Sequence, residues 1–263
     1  MHLGNSLLAL GALTTALLAA QPGQAQRWPF SEAPKRNVAG QFDYYALVMS
    51  WSPTHCSSPE GERDVDQCAR RDGRRYAFVL HGLWPQYERG YPEACPTRQK
   101  PYVPQPVIDG MLDIMPARGL IIHEYRKHGT CSGMDADHYY GLARHIFTGI
   151  KIPDRYVNPF ETQFVSPGEL VDEMVRANPN LRPNMIAVSC GGAGNRLREV
   201  RICVARNGTP RPCGSNENQR RLCSAERMYV PPVRSNAPKS AIPAAKARPP
   251  VRLDNSSPLP GPR

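Results

Sequence analysis

The segment FVLHGLWPQY, residues 78–87, joins an apolar run to a histidine, a tryptophan and a tyrosine. Together with the residues just before it, this run predicts a β-strand over 75–83. Gly82 follows His81 directly, so we expect the strand to end there and the chain to enter a turn. Because a strand end is a rigid support for a functional side chain, His81 is a candidate for catalysis. Trp84 is a candidate either for the core or for stacking on a nucleic-acid base.

Other segments of the chain have the periodicity of strands or of helices. Strand-like segments are 42–51, 184–190 and 198–205. Helical segments are 106–115, 120–128 and 135–150. A capping box formed by Ser166 and Glu169 marks the start of a fourth helix. Because these helices and strands are interspersed without regular β-α-β alternation, the sequence predicts an α+β fold with a central, mainly antiparallel sheet and packed helices.

The N-terminal region, residues 1–25, contains a Leu- and Ala-rich apolar run followed by the small-residue pattern GQA. It predicts a secretory signal peptide that is removed after Ala25. It departs from the usual pattern because its first residues include His2 but no Lys or Arg. A membrane anchor is the alternative, which Thr14 and Thr15 make less favourable.

The C-terminal region, residues 231–263, contains nine Pro, six Lys or Arg and one acidic residue. Such a composition buries too little apolar surface to offset chain entropy, so we expect a disordered, Pro-rich basic tail. Its charge of 6 − 1 = +5 is half of the formal +10, which leaves +5 for residues 26–230. Those residues are enough for one domain. Their positive charge suits a polyanionic partner, but it is also typical of simple solubility.

All eight cysteines lie within the predicted domain, at positions 56, 68, 95, 131, 190, 203, 213 and 223. Behind a signal peptide, an even number of cysteines predicts disulfides and an oxidising compartment, either extracellular or periplasmic. The count alone leaves every pairing open. The absence of a C-x-x-C pair argues against a zinc ribbon or a thioredoxin-like site. No second apolar run is long enough to span a membrane, so we expect no membrane association after the signal is removed.

The segment HEYRKHGTC, residues 123–131, brings His123, Glu124, Lys127 and His128 together. It does not fit the zincin motif H-E-x-x-H, because its histidines lie five residues apart instead of four. On an ideal α-helix the four polar side chains share an arc of about 140°. Two imidazoles beside a cation and a carboxylate are suited to proton transfer on an anionic substrate. An ordinary solvated helix face is the alternative.

HGLWPQY and HEYRKHGTC resemble the two active-site segments of the T2 family of secreted ribonucleases, and YYALVMSWSPTHC resembles the family's first core strand. The resemblance covers about 42–223. The spacing of Cys56 and Cys68 is similar to that of the bacterial periplasmic branch. The resemblance implies a disulfide-stapled single domain, secreted or periplasmic, that cleaves single-stranded RNA as an endonuclease. It also implies that no metal or cofactor is needed, and we expect a monomer.

By this resemblance, His81 and His128 would form the acid–base pair. One would take the proton from the ribose 2′-OH, and the other would protonate the departing 5′-oxygen. His123 would hold the phosphate, while Glu124 and Lys127 would stabilise charge on the phosphorus. The first product would be a 2′,3′-cyclic phosphate. DNA lacks the 2′-OH and should not be cleaved.

The resemblance further implies a base-stacking role for Trp84 and a set of four disulfides. The implied pairs are Cys56–Cys68, Cys95–Cys131, Cys190–Cys223 and Cys203–Cys213. Two other functions are weighed against RNA cleavage. A non-catalytic RNA-binding protein on the same fold would be free to lose a catalytic residue, and none is missing here. A secreted metallohydrolase is disfavoured by the five-residue histidine spacing.

Overall fold

The computed structural model describes residues 37–234 of the chain. The predicted signal peptide, residues 1–25, and residues 235–263 of the predicted tail lie outside the described residues. The strands are β1 Tyr44–Trp51, β2 Phe78–Gln86, β3 Gln163–Val165, β4 Ile186–Gly191, β5 Arg196–Val204 and β6 Met228–Val230. The α-helices are α1 Ser52–Cys56, α2 Val65–Cys68, α3 Gln105–Asp109, α4 Arg118–Glu124, α5 Thr130–Ser132, α6 Ala136–Gly149, α7 Pro167–Ala177 and α8 Gln219–Leu222. A π-helical turn covers Tyr125–Gly129, and short 3₁₀ helices cover Gly61–Arg63, Asp154–Tyr156, Pro183–Met185 and Ser215–Glu217.

These strands form one mainly antiparallel sheet with helices packed against it, as the sequence predicts. β1 lies between β2 and β5 and is antiparallel to both. β4 pairs with β5 in antiparallel orientation, and β3 pairs with β6 in the same way. The one parallel pairing within residues 37–234 joins β5 to β6 at Arg196 and Tyr229.

Both faces of β1 are covered by the rest of the protein, and the side chains on one face are larger than those on the other. One face places Tyr45, Leu47, Met49 and Trp51 in the hydrophobic core. The opposite face carries Tyr44 followed by the smaller Ala46, Val48 and Ser50, of which Ser50 pairs across the sheet with Glu199 of β5. Small residues at the centre of this second face leave room for side chains from the flanking strands. This second face of the sheet is where the polar side chains gather.

Two β-bulges interrupt the strand pairing close to these polar side chains, one in β2 and one in β5. Val48 pairs with Gly82 and Met49 with Leu80, so His81 is the extra residue in β2. The predicted strand end at Gly82 is therefore wrong, because β2 continues through the bulge to Gln86. In β5 the corresponding irregularity lies at Arg198. Bulges bend a strand locally and redirect a side chain.

The helix predicted over 120–128 is divided into α4 and the π-helical turn that follows it. The ideal-helix angles therefore do not apply beyond Glu124. The helix predicted over 106–115 is also shorter, because only α3 is helical and turns follow it. The helix predicted over 135–150 is present as α6.

The predicted capping box is confirmed at the start of α7. The Ser166 hydroxyl accepts a hydrogen bond from the Glu169 backbone N–H at 3.1 Å, and the Glu169 carboxylate accepts one from the Ser166 N–H at 2.6 Å. These two bonds satisfy backbone donors that the first helical turn leaves unpaired. Local sequence therefore fixes where this helix begins.

The first residues of the predicted tail pack against the domain. Trp51 Nε1 donates a hydrogen bond to the Pro231 carbonyl at 3.1 Å, and Val233 N donates to the Pro159 carbonyl at 2.8 Å. Val233 is buried. Composition did not indicate these contacts, because they depend on a carbonyl and an apolar pocket supplied by the rest of the fold.

Four disulfides join the described residues into one covalent framework, and they are the pairs that the resemblance implied. They join Cys56 to Cys68, Cys95 to Cys131, Cys190 to Cys223 and Cys203 to Cys213. Cys95–Cys131 ties the irregular segment after β2 to α5, which directly follows the π-helical turn, and the Ala94 N–H of that segment donates to the Lys127 carbonyl within the turn at 2.7 Å. None of the helices described is long and apolar enough to cross a membrane.

Candidate active site

His81 projects from the bulge of β2 towards two carboxylates. Its Nδ1 lies 3.2 Å from Glu199 Oε1, at hydrogen-bonding distance, and its Nε2 lies 3.6 Å from Glu124 Oε1. Burial acts to lower the pKa of His81, but the Glu199 hydrogen bond and the charges of Glu124 and Glu199 outweigh it. The pKa of His81 is therefore raised above its usual value.

Glu199 and Arg201 are the site residues that the sequence analysis missed. Glu199 Oε2 accepts hydrogen bonds from Arg201 Nε at 3.1 Å and from Nη2 at 2.8 Å. Burial acts to raise the pKa of Glu199, but the His81 hydrogen bond and the Arg201 charge lower it to about 2. A sequence pattern in β5 could have identified them, because two charged residues alternate there with buried Val200 and Ile202 on an inner strand.

Arg201 also lies close to a second carboxylate, on the side away from Glu199. Its Nη1 lies 3.9 Å from Glu217 Oε1, and Glu217 is buried and accepts a hydrogen bond from the Tyr44 hydroxyl. Burial raises the pKa of Glu217, although the Tyr44 bond and the Arg201 charge oppose this. A continuous polar chain therefore runs from His81 through Glu199 and Arg201 into the protein interior.

Glu124 is almost fully buried, with 2% of its surface exposed. Its Oε2 accepts a hydrogen bond from Trp84 Nε1 at 2.6 Å. Burial raises the pKa of Glu124, while the His81 charge and the Trp84 bond partly oppose the rise. Gly82 is required beneath this pair, because a Cβ there would lie 2.2 Å from Glu124 Oε2 and 2.5 Å from Trp84 Nε1.

Trp84 contacts most of the predicted catalytic groups. Its ring stacks on the His128 imidazole, with centroids 4.9 Å apart and an interplanar angle of 22°. The His81 ring meets it edge-on, with centroids 5.1 Å apart. The Arg201 guanidinium lies over it, 5.1 Å from the centroid. The resemblance implied that Trp84 stacks on a base. Such stacking would need a part of the Trp84 ring that these three side chains do not cover.

His128 lies in the π-helical turn and is 5% exposed. Burial, followed by the positive charges of Lys127, His81 and His123, lowers its pKa to about 3. Its Nδ1 is buried without a hydrogen-bond partner among the residues of the described domain. His128 is therefore a neutral imidazole at neutral pH.

His123 and Lys127 lie at the outer rim of the same helical segment. His123 is exposed, and partial burial together with the charges of Lys127 and His81 lowers its pKa. Lys127 Nζ lies 3.6 Å from Glu93 Oε2, which belongs to the irregular segment after β2. Both groups of this ion pair are more than two-fifths exposed, so the pair contributes little stability and an anion can replace Glu93.

A cavity of about 500 Å³ opens beside His81 and His123. Its lining includes Ser50 and Val79 of the sheet, Leu120 of α4, and residues of the segment bridged by Cys56–Cys68. Within that segment, His55 Nε2 lies 3.1 Å from Asp64 Oδ2. The cavity is therefore continuous with the histidines and has both apolar and charged walls.

Two groups of three potential metal ligands occur in residues 37–234. They are His55, Asp64, Cys68 and, separately, Cys203, Cys213, Glu217. Every cysteine in them is part of a disulfide, and a disulfide sulfur cannot act as a thiolate ligand. Neither group therefore fits a metal site, and neither includes His81 or His128.

The structure thus brings His81, Glu124, Trp84 and His128 into direct contact, with His123 and Lys127 at the rim. Fold and site together define a disulfide-bonded α+β protein with a histidine–carboxylate centre beside an open cavity. The sequence model of the Ribonuclease T2 family matches residues 42–213, and the chain belongs to that family.

Individual relatives agree with this assignment. The ribonuclease of Aeromonas hydrophila is 37% identical over 197 residues, covering 74% of this chain and 86% of the relative. Ribonuclease I of Escherichia coli is 25% identical over 230 residues, covering 72% of this chain and 86% of the relative. The chain is accordingly a T2-type endoribonuclease.

Solved structures share the fold at low sequence identity. RNase NT in complex with 5′-AMP superposes with a TM-score of 0.51 at 19% identity, covering 73% of this chain and 99% of that one. A mutant of RNase MC1 in complex with 5′-UMP gives a TM-score of 0.52 at 20% identity, covering 72% of this chain and 98% of that one.

Proposed function

We propose that the protein cleaves single-stranded RNA without a metal ion, by transphosphorylation from the ribose 2′-OH through a 2′,3′-cyclic phosphate. One observation carries this proposal: two histidines contact the same tryptophan, but His81 faces two carboxylates while His128 is buried without an acidic partner, and these surroundings shift their pKa values in opposite directions. Pairs of groups whose surroundings move their pKa values apart are the usual pattern of a general acid and a general base. RNA supplies its own nucleophile, so proton transfer and charge stabilisation suffice.

The two shifts support one division of roles within the pair. His128 is neutral at neutral pH and acts as the general base that takes the proton from the 2′-OH. His81 retains a proton to higher pH and acts as the general acid that protonates the departing 5′-oxygen. General acid–base catalysis of this kind contributes roughly 10²- to 10⁴-fold in rate.

Lys127 and His123 bind the phosphate at the rim of the site. The Lys127 ammonium leaves Glu93 and approaches a non-bridging oxygen, where it stabilises the charge that develops on the phosphorus. Glu124 holds the Trp84 ring through their hydrogen bond and faces His81. Glu124 therefore acts on the chemistry by fixing the position and the protonation state of the acid.

Glu199 is a positioning residue for His81. Its carboxylate accepts a hydrogen bond from the Nδ1–H of His81, so the proton that is transferred to the 5′-oxygen comes from Nε2. Arg201 holds that carboxylate through two hydrogen bonds, so the imidazole orientation is fixed from β5. The cavity beside His81 accommodates a nucleotide that flanks the scissile phosphate.

We also propose that the protein is secreted or periplasmic and acts as a monomer. All cysteines of the described domain are in disulfides, which is typical of an oxidising compartment. DNA lacks the attacking 2′-OH and is not a substrate.

Incubation with a panel of ribodinucleotides in EDTA tests the proposed function. We expect release of a 2′,3′-cyclic phosphate from the ribodinucleotides and none from the matching deoxyribodinucleotides. Loss of activity in EDTA that added metal restores would contradict metal independence. A first product with a free 3′-phosphate, and no cyclic intermediate at early times, would contradict the transphosphorylation step.

A further inference from the structure

A second cluster of cationic and aromatic side chains lies where β5, β6 and β3 meet. Arg196 pairs with Tyr229, and Tyr229 pairs with Phe164, so the three are cross-strand neighbours. The Arg196 guanidinium lies 4.8 Å from the Tyr229 ring centroid, and the Tyr229 and Phe164 centroids are 5.7 Å apart. Arg227 lies 5.5 Å from the Phe164 centroid. We call these four residues the arginine–aromatic row.

The row lies on the same face of the sheet as the catalytic groups. Leu197 and Val200 of β5 both belong to the core, because the bulge at Arg198 shifts the alternation by one residue. Arg196 is therefore on the face opposite the core, as Glu199 is. Met228 and Val230 of β6 and Val165 of β3 are core residues, so Tyr229 and Phe164 also point away from the core.

The row is close to the catalytic histidines. Arg196 is three residues from Glu199 along β5, which is roughly 10 Å at the rise of a β-strand. Glu199 in turn contacts His81. A single-stranded RNA that passes the scissile phosphate can therefore reach the row without leaving this face of the sheet.

The row is partly exposed, since Phe164 and Arg227 are exposed while Arg196 and Tyr229 are half-buried, and its two arginines form no ion pair with an acid of the described residues. Phe164 is 55% exposed on β3, an edge strand of the sheet, where charged side chains are the more usual choice. Within residues 37–234, neither Arg196 nor Arg227 has a carboxylate oxygen within the 4 Å of an ion pair. Glu169 is near enough to feel the charge of Arg227 but not to pair with it.

We propose that the arginine–aromatic row is a second RNA-binding surface, which holds a part of the single strand outside the catalytic cleft. Bases stack on the Phe164 ring and on the guanidinium planes, while the two arginines attract the phosphates. The combination of stacking surfaces with unpaired cations favours a single-stranded nucleic acid over an apolar protein partner. This inference rests on the proposed function, because the occupant is the same RNA. It predicts that long substrates bind more tightly than dinucleotides.

Two variants separate stacking from charge. Phe164→Ala removes a stacking surface, and the double variant Arg196→Gln with Arg227→Gln removes two charges. The matched controls are Tyr102→Ala, at a residue that is 72% exposed, and Arg176→Gln with Arg182→Gln, at two exposed arginines. Each protein is assayed with a ribodinucleotide and with a long unstructured oligouridylate, at several salt concentrations.

We expect all variants to cleave the dinucleotide at the wild-type kcat/KM. Phe164→Ala should raise KM for oligouridylate about tenfold, which is the loss typical of one stacked base. The arginine pair should lower the slope of log KM against log salt by about 1.4, and the controls should change neither quantity. If Phe164→Ala does not fold, the double variant Arg196→Gln with Arg227→Gln still tests the proposal.

An oligouridylate KM that stays at the control value would overturn the proposal. So would an equal loss on the dinucleotide, because it would place the row within the catalytic cleft. If wild-type protein fails to cleave the dinucleotide in EDTA, the proposed function fails instead, and a direct titration of fluorescent oligouridylate still tests the row.

Discussion

His81 and His128 have different surroundings although both contact Trp84. His81 faces Glu199 and Glu124, whose negative charges outweigh burial and raise its pKa. His128 is buried near positive groups, with Lys127 first among them, and its pKa falls to about 3. The opposite pKa shifts thus arise from which strand or helix supplies the neighbours, since the two side chains are chemically identical.

Glu199→Gln tests the positioning role of Glu199 through the pH profile. His81 must be protonated to act as the acid, so activity is lost as pH rises through its raised pKa. The amide removes the negative charge, which lowers the pKa of His81 and moves the alkaline limb of kcat/KM to lower pH. The acidic limb should stay where it is. Glu226→Gln, at an exposed acid, is the control; an alkaline limb unchanged in Glu199→Gln would refute the role.

Gly82→Ala tests the close packing beneath the site. The new Cβ would clash with Glu124 Oε2 and Trp84 Nε1, which must then separate. We expect kcat/KM for a dinucleotide to fall about 10²-fold, as expected for a misplacement of about 1 Å in the catalytic groups. Gly149→Ala is the control, because a Cβ there meets nothing within 4 Å. Wild-type activity in Gly82→Ala would show that the Glu124–Trp84 bond is dispensable.

At the scale of elements, the sequence predicts where strands and helices occur better than how they deviate from ideal geometry. α6 and the capping box of α7 follow from local pattern, and both are present. The π-helical turn and the bulge at His81 have no such local pattern, because they depend on contacts with β1 and with the segment after β2. These deviations place His128 and His81. The contact of His81 with Glu199 could not be predicted from local sequence either, since 118 positions separate the two residues.

The Cys95–Cys131 bridge gives a prediction about the π-helical turn. Replacing both cysteines with alanine should lower the free energy of unfolding by about 2–5 kcal/mol, measured by urea denaturation. It should also raise KM for a dinucleotide, because the Ala94 contact with the Lys127 carbonyl is lost and the turn that carries Lys127 and His128 is less well held.

Removal of Cys190–Cys223 is the matched control, since its sequence separation of 33 is close to the 36 of Cys95–Cys131. It should lower stability by a similar amount and leave KM unchanged. Equal changes of KM in both variants would show that the bridge near the site acts only through global stability.

At the scale of the whole molecule, the two quoted segments predict the family and contain most of the side chains that the fold brings together at the candidate site. HGLWPQY and HEYRKHGTC contain His81, Trp84, Glu124 and His128, and the fold brings them into contact. The arginine–aromatic row was not predicted, because β3 and β6 are three-residue strands without a recognisable period. The row is formed by pairing between distant strands, which sequence periodicity does not predict.

We propose that His128 is the base and His81 the acid, and one measurement tests this assignment most directly. The rate of cyclisation is compared for a ribodinucleotide and for uridine 3′-(4-nitrophenyl phosphate), whose leaving group departs without a proton. His81→Ala should lose roughly 10²- to 10⁴-fold on the dinucleotide but retain near-wild-type activity on the nitrophenyl ester, while His128→Ala should lose activity on both. Equal losses of His81→Ala on the two substrates, or survival of nitrophenyl ester cleavage in His128→Ala, would contradict the assignment.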